Sequence, residues 1–206
     1  MASKLKAATR MELLNLKKKV KLATKGHKLL KEKRDALVSA FFKHIEELKG
    51  IRTEVEEKLK IAYESLLLAQ ATSGRRAISV AAGSSSASGK LVSSQNNIMG
   101  VKVPQFSYTS EGSGVAYSVF GTSLTLDTAA EQFSTVLAVV IRLGEAEATV
   151  RRLAEEIKKT KRKVNALERI LIPRLENDIV YIRVRLEEME RENFSRLKVI
   201  KKRIEA

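Results

Sequence analysis

Apolar and small residues recur at Leu13, Leu16, Val20 and Ala23, then at Leu30, Leu37 and Phe41, in steps that alternate three and four. His27 and Arg34 fill the two seam positions between them. A stripe with a 3.5-residue period predicts a coiled-coil helix. After Phe41 the phase shifts to Ile45, Leu48, Ile51, Val55, Leu59, Ala62, Leu66 and Ala69. Gly26 and Gly50 weaken this helix without ending it. The far end of the chain repeats the pattern through Val150, Leu153, Ile157, Thr160, Val164, Leu167 and Leu171. Four-residue steps through Leu175 and Ile179 then lead to Ile182, Leu186 and Met189, with Leu197, Ile200 and Ile204 as the continuation.

Each arm runs for about 60 residues, on the order of 90 Å of helix. A lone helix of that length leaves its stripe wet, so the arms are expected to pair. The prediction is a mainly α chain in which the N- and C-terminal arms form one long antiparallel two-helix coiled coil. Its parts are residues 1–72, a middle region 73–127, and residues 128–206. In that pairing the phase shift at Phe41–Ile45 is expected to face the one at Leu171–Leu175. Pro173 lies inside the last helix, where it removes a donor and should bend the chain. Asp127-Thr128 with Glu131 reads as a capping box opening that helix.

The middle differs in kind. It holds 7 of the 10 glycines and 13 serines, with few charges. Ser84–Gly89 reads as a flexible loop, and weak alternation over Ile98–Tyr108 and Val115–Leu126 suggests a short β-hairpin. Pro104 suits an edge or bulge position.

Composition narrows the chemistry. Aromatics are only 5% and Trp is absent, which fits a thin aliphatic seam better than a broad core. With no Cys, disulfides and thiolate sites are excluded. The Met1–Lys6 start lacks the apolar segment of a secretory signal, and the most apolar run, Val136–Ile141, stops at Arg142. The expectation is a soluble chain, or one held at a membrane through partners without inserting. The net charge is +15, with 17 basic against 9 acidic residues in 1–72 and 18 against 13 in 128–206. Nucleic acid, an anionic membrane surface or an acidic protein collar could each answer that excess.

No catalytic set emerges. Gly83 and Gly89 are separated by five residues instead of four, and Leu91 stands where a phosphate loop needs Ser or Thr. His27 and His44 lack further ligands at metal spacing and read as polar members of the coil. Asn193-Phe194-Ser195 matches a glycosylation triplet inside a helical pattern and is taken as accidental. Two charged constellations stand out. One is Lys31, Lys33, Arg34 and Asp35; the other is the collar Lys158, Lys159, Lys161, Arg162 and Lys163. Adjacent like charges repel, so the collar is a solvated face or a seat for an acidic partner. Neither a cofactor nor a metal is expected.

The wording of the arms carries a resemblance. Lys159-Thr160-Lys161-Arg162-Lys163-Val164-Asn165-Ala166-Leu167-Glu168, then Ile172-Pro173, Tyr181-Ile182 and Phe194-Ser195-Arg196-Leu197-Lys198, resembles the D subunit of the archaeal/vacuolar-type (A-type/V-type) rotary ATPases. Leu22, Ala23, Gly26, Leu29-Leu30-Lys31 and Lys33-Arg34-Asp35 are similar to that family's N-terminal signature. Lys163 stands where Arg is expected. The resemblance implies a non-catalytic central-stalk component, with ATP chemistry left to the ring. Its terminal helices would be the axle inside a ring of catalytic and regulatory subunits. Its middle would lie near a small stalk subunit and the membrane rotor's adaptor, at the cytoplasmic face of the membrane. Such a chain transmits torque, coupling proton or sodium passage to ATP synthesis or hydrolysis. The ring contacts expected for it are the basic ends: Lys4, Lys6 and Arg10 on one arm, and Lys198, Lys201, Lys202 and Arg203 on the other.

Two other classes use similar architecture. A prefoldin-like chaperone arm also sets a hairpin between coiled helices, but its tips should be apolar where these are basic. A basic nucleic-acid-binding coil would use the net charge and bind with steep salt dependence. The acids scattered along both arms, and the lack of an aromatic reading surface, argue against nucleic acid as partner.

Overall fold

The computed structural model describes residues 9–84, 89–110, 117 and 123–204. Helix α1 spans Arg10–Ser84, strands β1 and β2 span Gly89–Ile98 and Val101–Ser110, and helix α2 spans Leu124–Ala166. A π turn over Leu167–Leu171 leads into helix α3, Ile172–Ile204. The chain is mainly α, with the two arms paired antiparallel and, among the described residues, a single hairpin between them, as the hydrophobic pattern predicts. Two compact units make it up, one of residues 1–36 with 158–206, the other of residues 37–157.

In the first unit, Leu16, Thr160, Val164 and Ile182 are buried in the helix seam. Arg10 pairs with Glu190 at 2.6 Å, and His27 Nε2 lies 3.6 Å from Glu168 Oε2, which fixes the antiparallel sense. That separation is too long for a hydrogen bond, so the buried Nε2 is left unsatisfied. Thr9 caps α1: its Oγ1 accepts the amide of Glu12 at 3.2 Å. Thr9 with Glu12 therefore supplies the Thr-x-x-Glu start signal in this chain.

The π turn is where the last arm departs from its expected stripe. Ile172 donates its amide to the Leu167 carbonyl, one residue further back than in an α-helix. Pro173 has no amide, and its ring crowds the carbonyl four residues earlier. Widening the preceding turn relieves that crowding. The added residue rotates Leu171 out to 41% exposure while Ile172 turns partly inward. Beyond Leu186 the expected stripe no longer packs: Met189, Leu197, Ile200 and Ile204 are all exposed.

In the second unit, Leu37 and Leu153 pack with Val101 and Val103 of β2, joined by Phe41, Ile98 and Ile157. A second cluster joins Ala69, Ala81 and Leu126 with Ile78 and Tyr117. Phe41 thus packs at the level of Leu153, whereas Glu168, just before Leu171, faces His27. The two phase shifts do not meet, contrary to expectation. The later one is absorbed by the π turn.

The helix does not stop near residue 72. It is interrupted at Gly74, whose φ of 79° and ψ of 151° only glycine adopts readily, and resumes to Ser84. Thr72 Oγ1 bonds back to the Leu68 and Ala69 carbonyls at 3.1 Å, just ahead of the break. The hairpin is also placed differently from its prediction. Its strands meet through Met99 and Gly100, both at positive φ, with Ile98 opposite Val101. Such a two-residue turn usually carries Asn-Gly or Asp-Gly, so Met-Gly gives no turn signal. Of the second expected strand, residues 115, 116 and 118–122 lie outside the described residues, and Leu124–Leu126 are helical. Residues 85–88 of the expected Ser84–Gly89 loop also lie outside the described residues, and Gly89 already belongs to β1.

The expected capping box at Asp127 is not used. Helix α2 starts three residues earlier, where Ser123 Oγ accepts the amide of Thr125 at 3.2 Å. Asp127 instead accepts the Tyr117 hydroxyl at 2.5 Å. Burial and that carboxylate together push the phenol up to about 12. A stretch within Leu124–Ile204 is apolar enough, by length and composition alone, to cross a membrane, although the run Val136–Ile141 is itself too short to suggest it. Leu126, Ala129, Val136 and Val139 are buried, so helix packing uses part of this apolarity.

Candidate interaction surfaces

Chemistry is sparse on this scaffold. Among the described residues no group of three or more His, Asp or Glu could hold a metal ion. A depression of about 270 Å³ in the second unit lies where β2 crosses the helices and is lined by His44, Ile51, Val103, Arg142 and Glu145. Its polar groups have other work. His44 Nδ1 sits 2.8 Å from Glu47, and Glu145 Oε2 accepts the Phe106 amide at 3.2 Å. The Glu145 carboxylate thereby ties β2 to α2. Sequence reading misses this tie, because one Glu on a charged helix gives no sign of the strand it will meet.

The basic ends divide. Lys4 and Lys6 lie outside the described residues. Arg10 is exposed but engaged by Glu190. Lys198, Lys201, Lys202 and Arg203 are exposed in the last two turns of α3. Cations there complement the negative end of the helix dipole. The last three turns also expose Phe194, Leu197, Ile200 and Ile204. The tip therefore mixes apolar and cationic groups.

The residues of the family wording fall on both faces. Thr160 and Val164 are buried, Leu167 is partly so, and Arg162, Lys163, Asn165 and Ala166 face solvent. Glu168 is the residue opposite His27. In the first arm Lys33 is exposed, and Arg34 is held by Asp35 through two bonds of 2.7 and 3.0 Å. The Thr160/Val164 pair thus serves the seam, whereas the collar of cations is surface. Another surface is apolar: Tyr63 meets Phe133 edge to face at 5.8 Å. Leu67, Leu137 and Val140, at helical spacing from that pair, are exposed beside it.

Comparison with known proteins adds to this geometry. The family profile described as the ATP synthase D subunit matches residues 12–202. The chain is 50% identical to the D subunit of the A-type ATP synthase of Methanosphaera stadtmanae over 200 residues, covering 96% of this chain and 94% of that one. It is 47% identical to the proteins of the same name from Thermococcus gammatolerans and Pyrococcus furiosus, each over 201 residues, with 96% and 94% covered.

Proposed function

Because the chain belongs to the family of ATP synthase D subunits, we propose that it is the rotor axle in the central stalk of an A-type ATP synthase, transmitting torque between the membrane rotor and the catalytic ring. Its partners are then the catalytic and regulatory ring subunits, a small stalk subunit and the adaptor of the membrane rotor. It works as a peripheral component at the cytoplasmic face. Protons or sodium ions supply the drive. The ring makes or hydrolyses ATP, and this chain contributes no catalytic group.

The observation that carries this reading is the kind of surface the helices present. Their seam is narrow and aliphatic, with Leu16, Leu37, Leu153 and Ile182 fully or almost fully buried. Their outer faces are charged and salted with short-range ion pairs such as Arg52–Glu56, Lys58–Glu54 and Arg185–Glu188. Interlocked side chains let paired helices resist twisting. Weak, exchangeable charge contacts let a surface step between successive positions without one deep lock. The Tyr63–Phe133 patch and the hairpin remain as faces for the other stalk components.

Reconstitution tests the proposal. Ring, membrane rotor and remaining stalk components are assembled with and without this chain, and ion-driven ATP synthesis is measured. Synthesis is expected only when the chain is present. Equal synthesis in its absence would remove it from the torque path.

The π turn before Pro173 is then a point of compliance, since its hydrogen bond is displaced from the α ladder. Pro173→Ala restores a donor and is expected to stiffen the helix. In single-molecule rotation of the assembled enzyme, the variant should show smaller angular fluctuations during pauses. Fluctuations of the same width as the parent's would rule this role out.

A further inference from the structure

The hairpin is closed on one side and open on the other. In an antiparallel pair, alternate residues turn both backbone groups away from the partner strand. The Phe106 amide points out of the ladder to Glu145, so Lys102, Pro104, Phe106 and Tyr108 form the outward set of β2. Pro104 has no donor to offer, and Glu145 takes the next one along. That edge is therefore closed.

Across the ladder the outward set of β1 is Asn97, Gln95, Ser93 and Leu91. Asn97 donates its amide to Asn96 Oδ1 at 2.7 Å, which stops that end. Among the described residues nothing meets the outward backbone groups of Leu91, Ser93 and Gln95, and all of β1 except Ile98 is exposed. Folded proteins blunt such an edge with charges, proline, a bulge or a covering element. Here Lys90 is the one charge and β1 contains no proline. On the outer face, Leu91 stands opposite Tyr108, both exposed. The Tyr108 ring lies over Gly89, where the carbon of any side chain would collide with it.

We propose that the Leu91–Gln95 edge receives an extended segment of a partner polypeptide as a third strand, with a carboxylate of that segment beside Lys90. Main-chain bonds to Leu91, Ser93 and Gln95 give such a strand its register, and the Leu91/Tyr108 pair gives it a side-chain seat. The charge follows from the hairpin itself, which carries Lys90 and Lys102 and no Asp or Glu between Gly89 and Ser110. A second copy of this chain is disfavoured as occupant, because each copy brings a net charge of +15.

Residue-resolved amide exchange on the full chain, alone and in the assembled ATP synthase, tests this. The amides of Leu91, Ser93 and Gln95 are expected to exchange about 100-fold more slowly in the assembly. Ser93→Pro removes an outward amide that has no part in the β1–β2 ladder, as Pro104 already does on β2. In the assembled variant, Leu91 and Gln95 should exchange as fast as in the free chain, while the inward amides of Ser94 and Asn96 stay protected. Leu91→Lys, which adds a charge to the edge and leaves the backbone intact, should do the same. Fast exchange at these amides in the parent assembly overturns the proposal, as does protection that survives both variants. Protection that grows with the concentration of the free chain would assign the edge to a second copy instead.

Discussion

Leu153→Ala is expected to destabilise the full chain by roughly 2–5 kcal/mol in urea denaturation. Leu153 is fully buried and packs with Leu37, which is also fully buried, and with Val101 and Val103 of β2. Truncation removes apolar atoms and leaves a space bounded by a helix on one side and a strand on another. Neither collapses freely, so the upper part of the range is favoured. The same substitution should loosen the hairpin, because Val101 and Val103 rest on the lost side chain. Faster exchange at the inward amides of β2 would accompany the fall in stability. Leu37→Ala should act alike, and the double variant should lose less than the sum, since the two leucines share one cluster. Leu67→Ala, at a side chain 63% exposed, serves as the control and should change stability by about 0.5 kcal/mol or less. A Leu153→Ala chain as stable as the Leu67→Ala control would mean that this cluster does not hold the unit together.

The contrast between these leucines shows what is legible in the sequence. Periodicity finds most of the seam as far as Leu186: Leu16, Leu37, Val55, Ala62, Ala69, Leu153, Thr160, Val164 and Ile182 are all buried where the stripe puts them. A helix seam is a local repeat, so spacing alone reports it. What spacing misses is whatever depends on one backbone bond. The displaced bond from Ile172 to Leu167 moves Leu171 off the stripe; Pro173 announces a bend there, but not that it takes the form of a widened turn. The Met99–Gly100 turn holds a methionine at a φ of 51°, which turn chemistry would not choose, so nothing marks β1 as the first strand of a hairpin. Strand β1 is also exposed on both faces as far as Asn97, and a strand that buries only its last residue has no alternation to read. Of the proposed ring contacts, those in α3 follow from the charge run at its end. The Arg10–Glu190 pair links positions 180 residues apart, which only the folded chain brings together.

Reversing Lys201, Lys202 and Arg203 to Glu together is expected to lower coupled turnover of the assembled enzyme about tenfold. These residues occupy the last turn of α3, exposed, beside Ile200 and Ile204. If acidic loops of the ring hold this tip, reversal replaces several weak attractions with repulsions at every position the rotor visits. Single exposed contacts matter little, so the effect rests on the three changes acting together. Reversal also opposes the helix dipole and would fray the end of α3. Neutral Gln substitutions at the same positions separate the two effects. They remove the favourable dipole contribution as well, yet introduce no repulsion, and should cost far less coupling than Glu. Raised ionic strength should narrow the gap between parent and reversed enzyme, because exposed charges are screened over about 8–10 Å at physiological salt and less beyond it. On the proposed function the chemistry lies in other subunits, so ATP hydrolysis by the ring should persist in the reversed enzyme while ion transport per ATP falls. Coupling that is unchanged by reversal would show that these cations do not seat the tip, leaving the exposed stripe of Phe194, Leu197 and Ile204 as the next surface to test.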